Sequence, residues 1–138
     1  MELVLDASLA LALGLPDEQA RKADRNMAQY LGEKTVFWVP ALWWFEISNA
    51  LIMAQRRNRL SETDTLCLID LYAKLPLSTD ILINANLIAQ LQRLAKTYEL
   101  SAYDAAYLEL AQRKNLGLAT LDRSLIAAAK KAGIALAT

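Results

Sequence analysis

Short runs of branched and aromatic apolar residues alternate along this chain with longer stretches in which apolar residues recur at helical spacing. The first run, residues 3–5, ends at Asp6, and a helical pattern follows over residues 9–13. Further strands are expected at residues 35–39, 75–78, 116–120 and 134–136, and further helices at residues 17–31, 41–57, 61–74, 80–98, 101–114 and 122–131. This alternation predicts an α/β fold class with a mainly parallel central sheet, in a single domain over residues 1–138.

Residues that favour turns and helix ends mark the boundaries of these elements. Pro16, within residues 15–18, predicts a turn followed by a helix start, and Pro40 closes the second strand. Gly32 and Gly133 are typical of positions at which a helix ends. Residues 101 and 104 have the spacing of a capping box at the start of a helix.

Composition narrows the chemistry that this chain can perform. The 138 residues include no histidine and a single cysteine, which removes Ser-His-Asp and Cys-His catalysis and nearly all zinc catalysis. Cys67 lies in an apolar helical run, so we expect it to be buried, in a protein of a reducing compartment. Carboxylates dominate the remaining metal-binding side chains, and they favour hard cations such as Mg²⁺ or Mn²⁺.

Charge and hydropathy give no sign of a membrane or of a general attraction to nucleic acid. Lys plus Arg equals Asp plus Glu at fifteen each, so RNA binding would depend on a local basic patch. No apolar run approaches the ~18 residues of a membrane span. The N-terminus has no secretory signal pattern, so we expect a cytoplasmic protein.

Four acidic residues occupy positions that suggest a role in a binding site or at a helix end. Asp6 and Asp122 directly follow predicted strands, and Asp104 lies in the first turn of a predicted helix. Capping of the adjacent helix is an alternative explanation for each of these aspartates. Glu46 lies inside an apolar helix, where an unpaired charge is costly, so it needs a cation, a partner or a route to solvent.

A parallel sheet would bring strand ends together and place these carboxylates in one pocket. Clustered carboxylates repel one another, and a divalent cation removes that penalty. Such a cation lowers the pKa of a bound water and stabilises charge on a phosphoryl oxygen. Spacing alone does not establish that the four acids meet.

The motifs around these acids resemble those of PIN-domain ribonucleases, in order and in spacing. The chain is most similar to the toxin component of VapBC-type bacterial toxin–antitoxin pairs, and the resemblance spans nearly all of its length. It implies a PIN-like three-layer α/β/α domain. The matching segments are Val4-Leu5-Asp6-Ala7-Ser8, Glu46 with Asn49-Ala50-Leu51, Leu100-Ser101-Ala102-Tyr103-Asp104-Ala105-Ala106-Tyr107, and Leu118-Ala119-Thr120-Leu121-Asp122-Arg123.

The resemblance also implies an activity and a set of partners. The activity is that of a Mg²⁺- or Mn²⁺-dependent endoribonuclease whose products carry a 5′-phosphate and a 3′-hydroxyl. The implied partners are an RNA substrate, an antitoxin protein that lays a peptide near the active site, and a second copy of the chain in a homodimer. By motif position, the implied catalytic and metal-binding residues are Asp6, Glu46, Asp104 and Asp122, with Ser8 and Thr120 as supporting polar residues.

The family often has another acid close to the last aspartate, where this chain has Arg123 and Ser124. The number of metal ions, one or two, therefore stays open. Candidate phosphate contacts are the basic residues Arg56, Arg57, Arg59 and Arg123. An ordinary solvated surface is an equally good explanation for such charges, and basic residues at a helix C-terminus also complement its dipole.

Trp43 and Trp44 are adjacent, so one helix face cannot bury both equally. One interpretation places one of them in the core and the other at a dimer or antitoxin interface, where tryptophan is enriched. The alternative is that both are buried in a helix that is apolar all round. Base stacking by an exposed tryptophan ranks third.

Two rival functions also fit parts of the sequence. A non-catalytic PIN-like protein-binding module would use the acids as helix caps and would neither bind metal nor cleave RNA. Phosphoryl transfer through Asp6 resembles haloacid-dehalogenase-like phosphatases, but those use Asp-x-Asp, whereas this chain has Asp6-Ala7-Ser8. Phospho-receiver domains need an acidic pair near the first strand, and Glu2 is not placed for that role.

Overall fold

The structure is a computed structural model that describes residues 1–14 and 18–137. The turn predicted at residues 15–18 therefore lies largely outside the described residues. In chain order the elements are β1 (Glu2–Leu5), α1 (Ala7–Ala12), α2 (Glu18–Gly32), β2 (Val36–Pro40), α3 (Ala41–Arg56), α4 (Glu62–Lys74), β3 (Leu77–Asp80), α5 (Ala85–Tyr98), α6 (Ala102–Lys114), β4 (Gly117–Ala119) and α7 (Arg123–Ala132).

The described strands form one sheet with the order β3-β2-β1-β4, and every pair in it is parallel. The central strands β1 and β2 are flanked on both sides by other strands, and they read as near-continuous apolar runs because both of their faces are covered. α6 packs on β1 and β2, while α3 packs on β2 and on α1. The predicted α/β class with a mainly parallel sheet is confirmed.

The core explains why β1, β2 and α3 hold their positions so firmly. Val4, Phe37 and Trp43 are fully buried, and each loses all of its contact with water on folding. Burial of such side chains is worth ~1.5–3 kcal/mol each. Trp43 makes an edge-on ring contact with Trp44 within α3 and another with Tyr72, and the second contact joins α3 to α4.

The two adjacent tryptophans are in unlike environments, as the first interpretation predicted. Trp43 is 0% exposed and Trp44 is 40% exposed, so the alternative in which both are buried is wrong. The indole N–H of Trp44 donates to the hydroxyl of Thr79 at the edge strand β3, at 2.9 Å.

Three sequence predictions are corrected by the structure. Residues 80–84 are not helical, because Asp80 still pairs with Pro40 in the sheet and Asn84 caps α5 through the N–H of Leu87. The last strand is reduced to an isolated bridge between Leu118 and Leu136. Cys67 is exposed, not buried. It lies off the buried stripe of α4, which consists of Thr65, Leu68 and Tyr72.

None of the helices in the described part of the chain is both long enough and apolar enough to cross a membrane.

α4 begins with a complete capping box, which gives a test of this part of the fold. The Ser61 hydroxyl accepts from the N–H of Asp64 at 3.0 Å, and the Asp64 carboxylate accepts from the N–H of Ser61 at 3.1 Å. We expect Ser61→Ala to lower the free energy of unfolding by ~1 kcal/mol in urea titrations, because an N–H in the first turn loses its acceptor. Thr63→Ala, an exposed change in the same turn, is the control and should be near neutral. Equal stability of the Ser61 variant and wild type would contradict the assigned role of this cap.

Candidate active site

The carboxyl ends of β1 and β4 meet at one edge of the sheet and place Asp6 beside Thr120. Leu5 pairs with Ala119, and the N–H of Asp6 continues the pairing by donating to the carbonyl oxygen of Ala119 at 2.9 Å. The next residues along the two strands, Asp6 and Thr120, therefore emerge side by side. Ligand sites of open parallel sheets lie at this edge.

Asp6 is only 5% exposed, and two hydroxyl groups fix its orientation. Ser8 Oγ and Thr120 Oγ1 both donate to Asp6 Oδ2, at 2.5 and 2.6 Å. The same hydroxyls accept from the segment after β4, since Leu121 N–H donates to Ser8 and Asp122 N–H donates to Thr120, each at 3.0 Å. Ser8 and Thr120 thus link Asp6 to the segment after β4, and their supporting role in a metal site stays a prediction.

Helix capping does not explain Asp6, because its side chain makes no capping hydrogen bond to α1. It does not explain Asp104 either, since Ser101 caps α6 by accepting from the Asp104 N–H at 3.1 Å. Asp122 does cap α7, with Oδ1 accepting from Leu125 N–H at 2.9 Å. The capping alternative therefore applies to one of the three aspartates.

Glu46 reaches the site from α3, where it is partly buried between the core residues Trp43 and Ile47. The phenol of Tyr107, which is fully buried on α6, donates to Glu46 Oε1 at 2.5 Å. Of the three needs that the sequence indicated for this acid, a cation, a partner or a route to solvent, the structure supplies a partner, which is a neutral hydroxyl. Tyr107 belonged to a recognised motif but had no predicted role; the one signal was its position three residues after Asp104, on the same helix face.

Asp104 lies close enough to the other three carboxylates for their charges to influence its ionisation. Burial and the negative charges of Asp122, Asp6 and Glu46 together raise the pKa of Asp104 to about 6, while the Ser101 hydroxyl opposes the shift. Burial also raises the pKa of Asp6, against the hydrogen bonds from Ser8 and Thr120, and the charge of Asp122 adds to the rise. The structure thus brings all four predicted acids into one electrostatic group.

Burial has the same effect on the pair formed by Glu46 and Tyr107. It raises the pKa of Glu46, the hydrogen bond from Tyr107 lowers it, and the charge of Asp6 raises it again. Burial also raises the pKa of Tyr107, as does its bond to Glu46. The phenol is consequently a proton donor at any physiological pH.

The donors at this edge are carboxylate and hydroxyl oxygens, which is the ligand chemistry that Mg²⁺ and Mn²⁺ prefer. Clustered carboxylates with raised pKa values are also what a cation would stabilise. As the side chains of the described residues stand, no three of the acids are near enough to act as ligands of a single ion. The residues fit a hard cation in their chemistry, and side-chain rotation would have to close them around it.

The candidate phosphate contacts fall into two places. Arg123 begins α7 directly after Asp122 and is exposed. Arg56, Arg57 and Arg59 are also exposed, but they lie about ten residues or more beyond Glu46, which is about 15 Å along a helix axis. The ion pairs found among the described residues involve a different arginine, Arg113, with Asp80 and Glu109.

Comparison with known proteins agrees with this geometry. The PIN domain family matches residues 3–132. Ribonuclease VapC3 of Pyrobaculum aerophilum is 30% identical over 125 residues, which cover 91% of this chain and 92% of that protein. The crystal structure of PAE2754 from Pyrobaculum aerophilum is similar with a TM-score of 0.67 and 26% identity, over 93% of this chain and 79% of that one.

A more distant structure, Mycobacterium tuberculosis VapC20, described as a sarcin–ricin-loop-cleaving toxin, also has a TM-score of 0.67. It is 17% identical and covers 91% of this chain and 94% of its own, so it bears on the fold alone. The family match, together with the parallel sheet flanked by helices, confirms the predicted PIN-like three-layer α/β/α fold. By its match over residues 3–132 and its identity to a VapC ribonuclease, the chain belongs to the VapC-type PIN domain family.

Proposed function

We propose that this chain is a Mg²⁺- or Mn²⁺-dependent endoribonuclease and acts as the toxin of a bacterial toxin–antitoxin pair. The observation that carries the proposal is the group of four mutually repelling carboxylates at the carboxyl edge of the sheet, with the pKa of Asp104 raised to about 6. A protein-binding module would have no reason to keep acids in so costly an arrangement. The 30% identity to Ribonuclease VapC3 supports the choice of RNA as substrate.

In this proposal the acids are the ligands, and the neutral hydroxyls hold two of them in place. Asp6, Glu46, Asp104 and Asp122 hold the cation, which when bound polarises the phosphate and acidifies a water molecule. Ser8 and Thr120 keep Asp6 Oδ2 fixed. Asp104 is better suited than Glu46 to take a proton from the attacking water, because Glu46 Oε1 already accepts from Tyr107.

We further propose that an antitoxin protein and a second copy of this chain bind beside the site. Exposed aromatic side chains support this, since they flank two of the acids. Phe45, adjacent to Glu46, is 73% exposed, and Tyr103, adjacent to Asp104, is 64% exposed. Aromatic residues of this kind are enriched at protein interfaces.

The metal is tested by thermal unfolding of wild type and Asp6→Asn, each with and without Mn²⁺. A ligand that binds only the folded state stabilises it by ~2.7 kcal/mol at a hundredfold excess over its Kd. We expect a clear rise in Tm for wild type and none for the variant, with parallel loss of RNA cleavage. Asp70→Asn, an exposed change on α4, is the control and should behave as wild type. If Asp6→Asn cleaved RNA as fast as wild type, the nuclease role of Asp6 would be wrong. If wild type itself showed neither a rise in Tm nor RNA cleavage, the binding module would be favoured.

The raised pKa of Asp104 predicts how stability changes with pH in the absence of metal. Between the ordinary value of 3.8 and about 6, folded Asp104 holds a proton that the unfolded chain releases. The stabilisation is complete below the lower pKa and is lost as the pH rises through about 6. We expect metal-free Asp104→Asn to lose less stability than wild type between pH 4 and 7 in chemical unfolding experiments. The same pH dependence in both proteins would contradict the electrostatic strain assigned to Asp104.

The arginines are tested by the salt dependence of binding to a single-stranded RNA, in the Asp6→Asn background to prevent cleavage. Each neutralised phosphate contributes about −0.7 to the slope of log K against log salt. We expect Arg123→Gln to flatten the slope by about that amount, and a triple glutamine variant at residues 56, 57 and 59 to flatten it by up to about 2. Arg25→Gln, an exposed change on α2, is the control. A slope unchanged by either variant removes the arginines concerned from the RNA-binding surface.

A further inference from the structure

Tyr107 is a fully buried tyrosine whose hydroxyl group points at a carboxylate of the acidic cluster. We propose that Tyr107 is a positioning residue, which holds Glu46 through Oε1 so that the other carboxylate oxygen is oriented toward the remaining acids. The inference rests on the proposed function, because it concerns the readiness of Glu46 for a divalent cation.

The geometry around the phenol supports this role. The distance of 2.5 Å between the phenol oxygen and Glu46 Oε1 is at the short end for hydrogen bonds to a carboxylate, which are the stronger ones. The two residues are 61 positions apart, so the bond joins α3 to α6 across the site. Because Tyr107 follows Asp104 by three residues, α6 supplies one acid directly and orients a second through its tyrosine.

Glu46 needs such a partner more than the other acids do. Its helix places it between the buried residues Trp43 and Ile47, and a free glutamate has three side-chain torsions through which to move away from the like charges. A single bond from a fully buried donor restricts those torsions. Outer hydrogen-bond partners of metal ligands typically contribute 10–100-fold to metal affinity.

A purely structural role is the competing explanation, in which the phenol simply satisfies its hydrogen bond and ties two helices together. The chain offers a matched control for it. Tyr72 is also buried, and its hydroxyl donates to the backbone carbonyl oxygen of Ala10 at 2.9 Å, with no carboxylate involved. Tyr72→Phe removes a comparable hydroxyl, and a comparable link between elements, without touching the acids.

The test is the affinity of the full chain for Mn²⁺, measured from the electron paramagnetic resonance signal of the free ion, with Tm of the metal-free proteins in parallel. We expect Tyr107→Phe to weaken Mn²⁺ binding about tenfold or more. We expect Tyr72→Phe to bind as wild type does, even where its Tm falls as far as that of Tyr107→Phe. Wild-type affinity in folded Tyr107→Phe, or equal weakening in both variants, would overturn the positioning role.

A second measurement on the wild-type protein covers the case in which Tyr107→Phe fails to fold. The chain has five tyrosines, so a label of ¹³C at Cζ gives few signals, and phenylalanine variants at the other four assign Tyr107. We expect the Tyr107 signal to move on titration with Mg²⁺ while that of Tyr72 stays fixed. A stationary Tyr107 signal, with Mg²⁺ binding established by a rise in Tm, would exclude the proposed coupling. Failure of wild type to bind either ion would instead count against the proposed function itself.

Discussion

The burial of carboxylates beside other negative charges is the constraint on which this site depends. Burial first, and then the charges of neighbouring acids, raise the pKa values of Asp6, Glu46 and Asp104, and the fold offsets the cost of ionising them with hydrogen bonds at defined atoms. Two hydroxyls hold Asp6, a phenol holds Glu46, and a backbone amide holds Asp122. For Asp104, the hydroxyl of Ser101 is the one group that lowers the pKa, and the pKa nevertheless rises to about 6. Asp104 is therefore the acid whose ionisation a bound cation would favour most clearly.

The fold brings these acids together by two different routes. Asp6 follows β1, and Asp122 lies just past the end of β4, so the parallel register alone makes them neighbours. Glu46 and Asp104 come from α3 and α6, whose positions depend on packing against the sheet. Burial of Trp43 and Ile47 on either side of Glu46 fixes the face that α3 turns to the site. The core therefore positions half of the acids, and the hydrogen bonds of the sheet position the other half.

The sequence predicted most elements because their signals are local. Runs of branched and aromatic apolar residues predicted β1 and β2, and the N-cap residue Ser101 predicted the start of α6. The errors arose where a distant contact decides the structure. Residues 80–84 continue the apolar spacing of α5, but pairing with Pro40 keeps Asp80 in β3, where Arg113 also binds it. Cys67 has an apolar neighbourhood in sequence, yet the face of α4 that packs inward does not include it.

The difference between local signals and distant contacts also explains which parts of the site the sequence predicted and which it missed. The four acids could be named because each stands in a recognisable motif, and the structure places Asp104 near enough to the other three for their charges to raise its pKa. The function of Tyr107 depends on Glu46, 61 residues away, and no local pattern joins the two. The hydrogen bonds that hold Asp6 and Glu46 share one property, which is that the side-chain hydroxyls bind a single carboxylate oxygen, Oδ2 of Asp6 and Oε1 of Glu46. Acids that served only as caps would need no such support from buried hydroxyls, whereas metal ligands need one oxygen fixed so that the other can be directed at the ion.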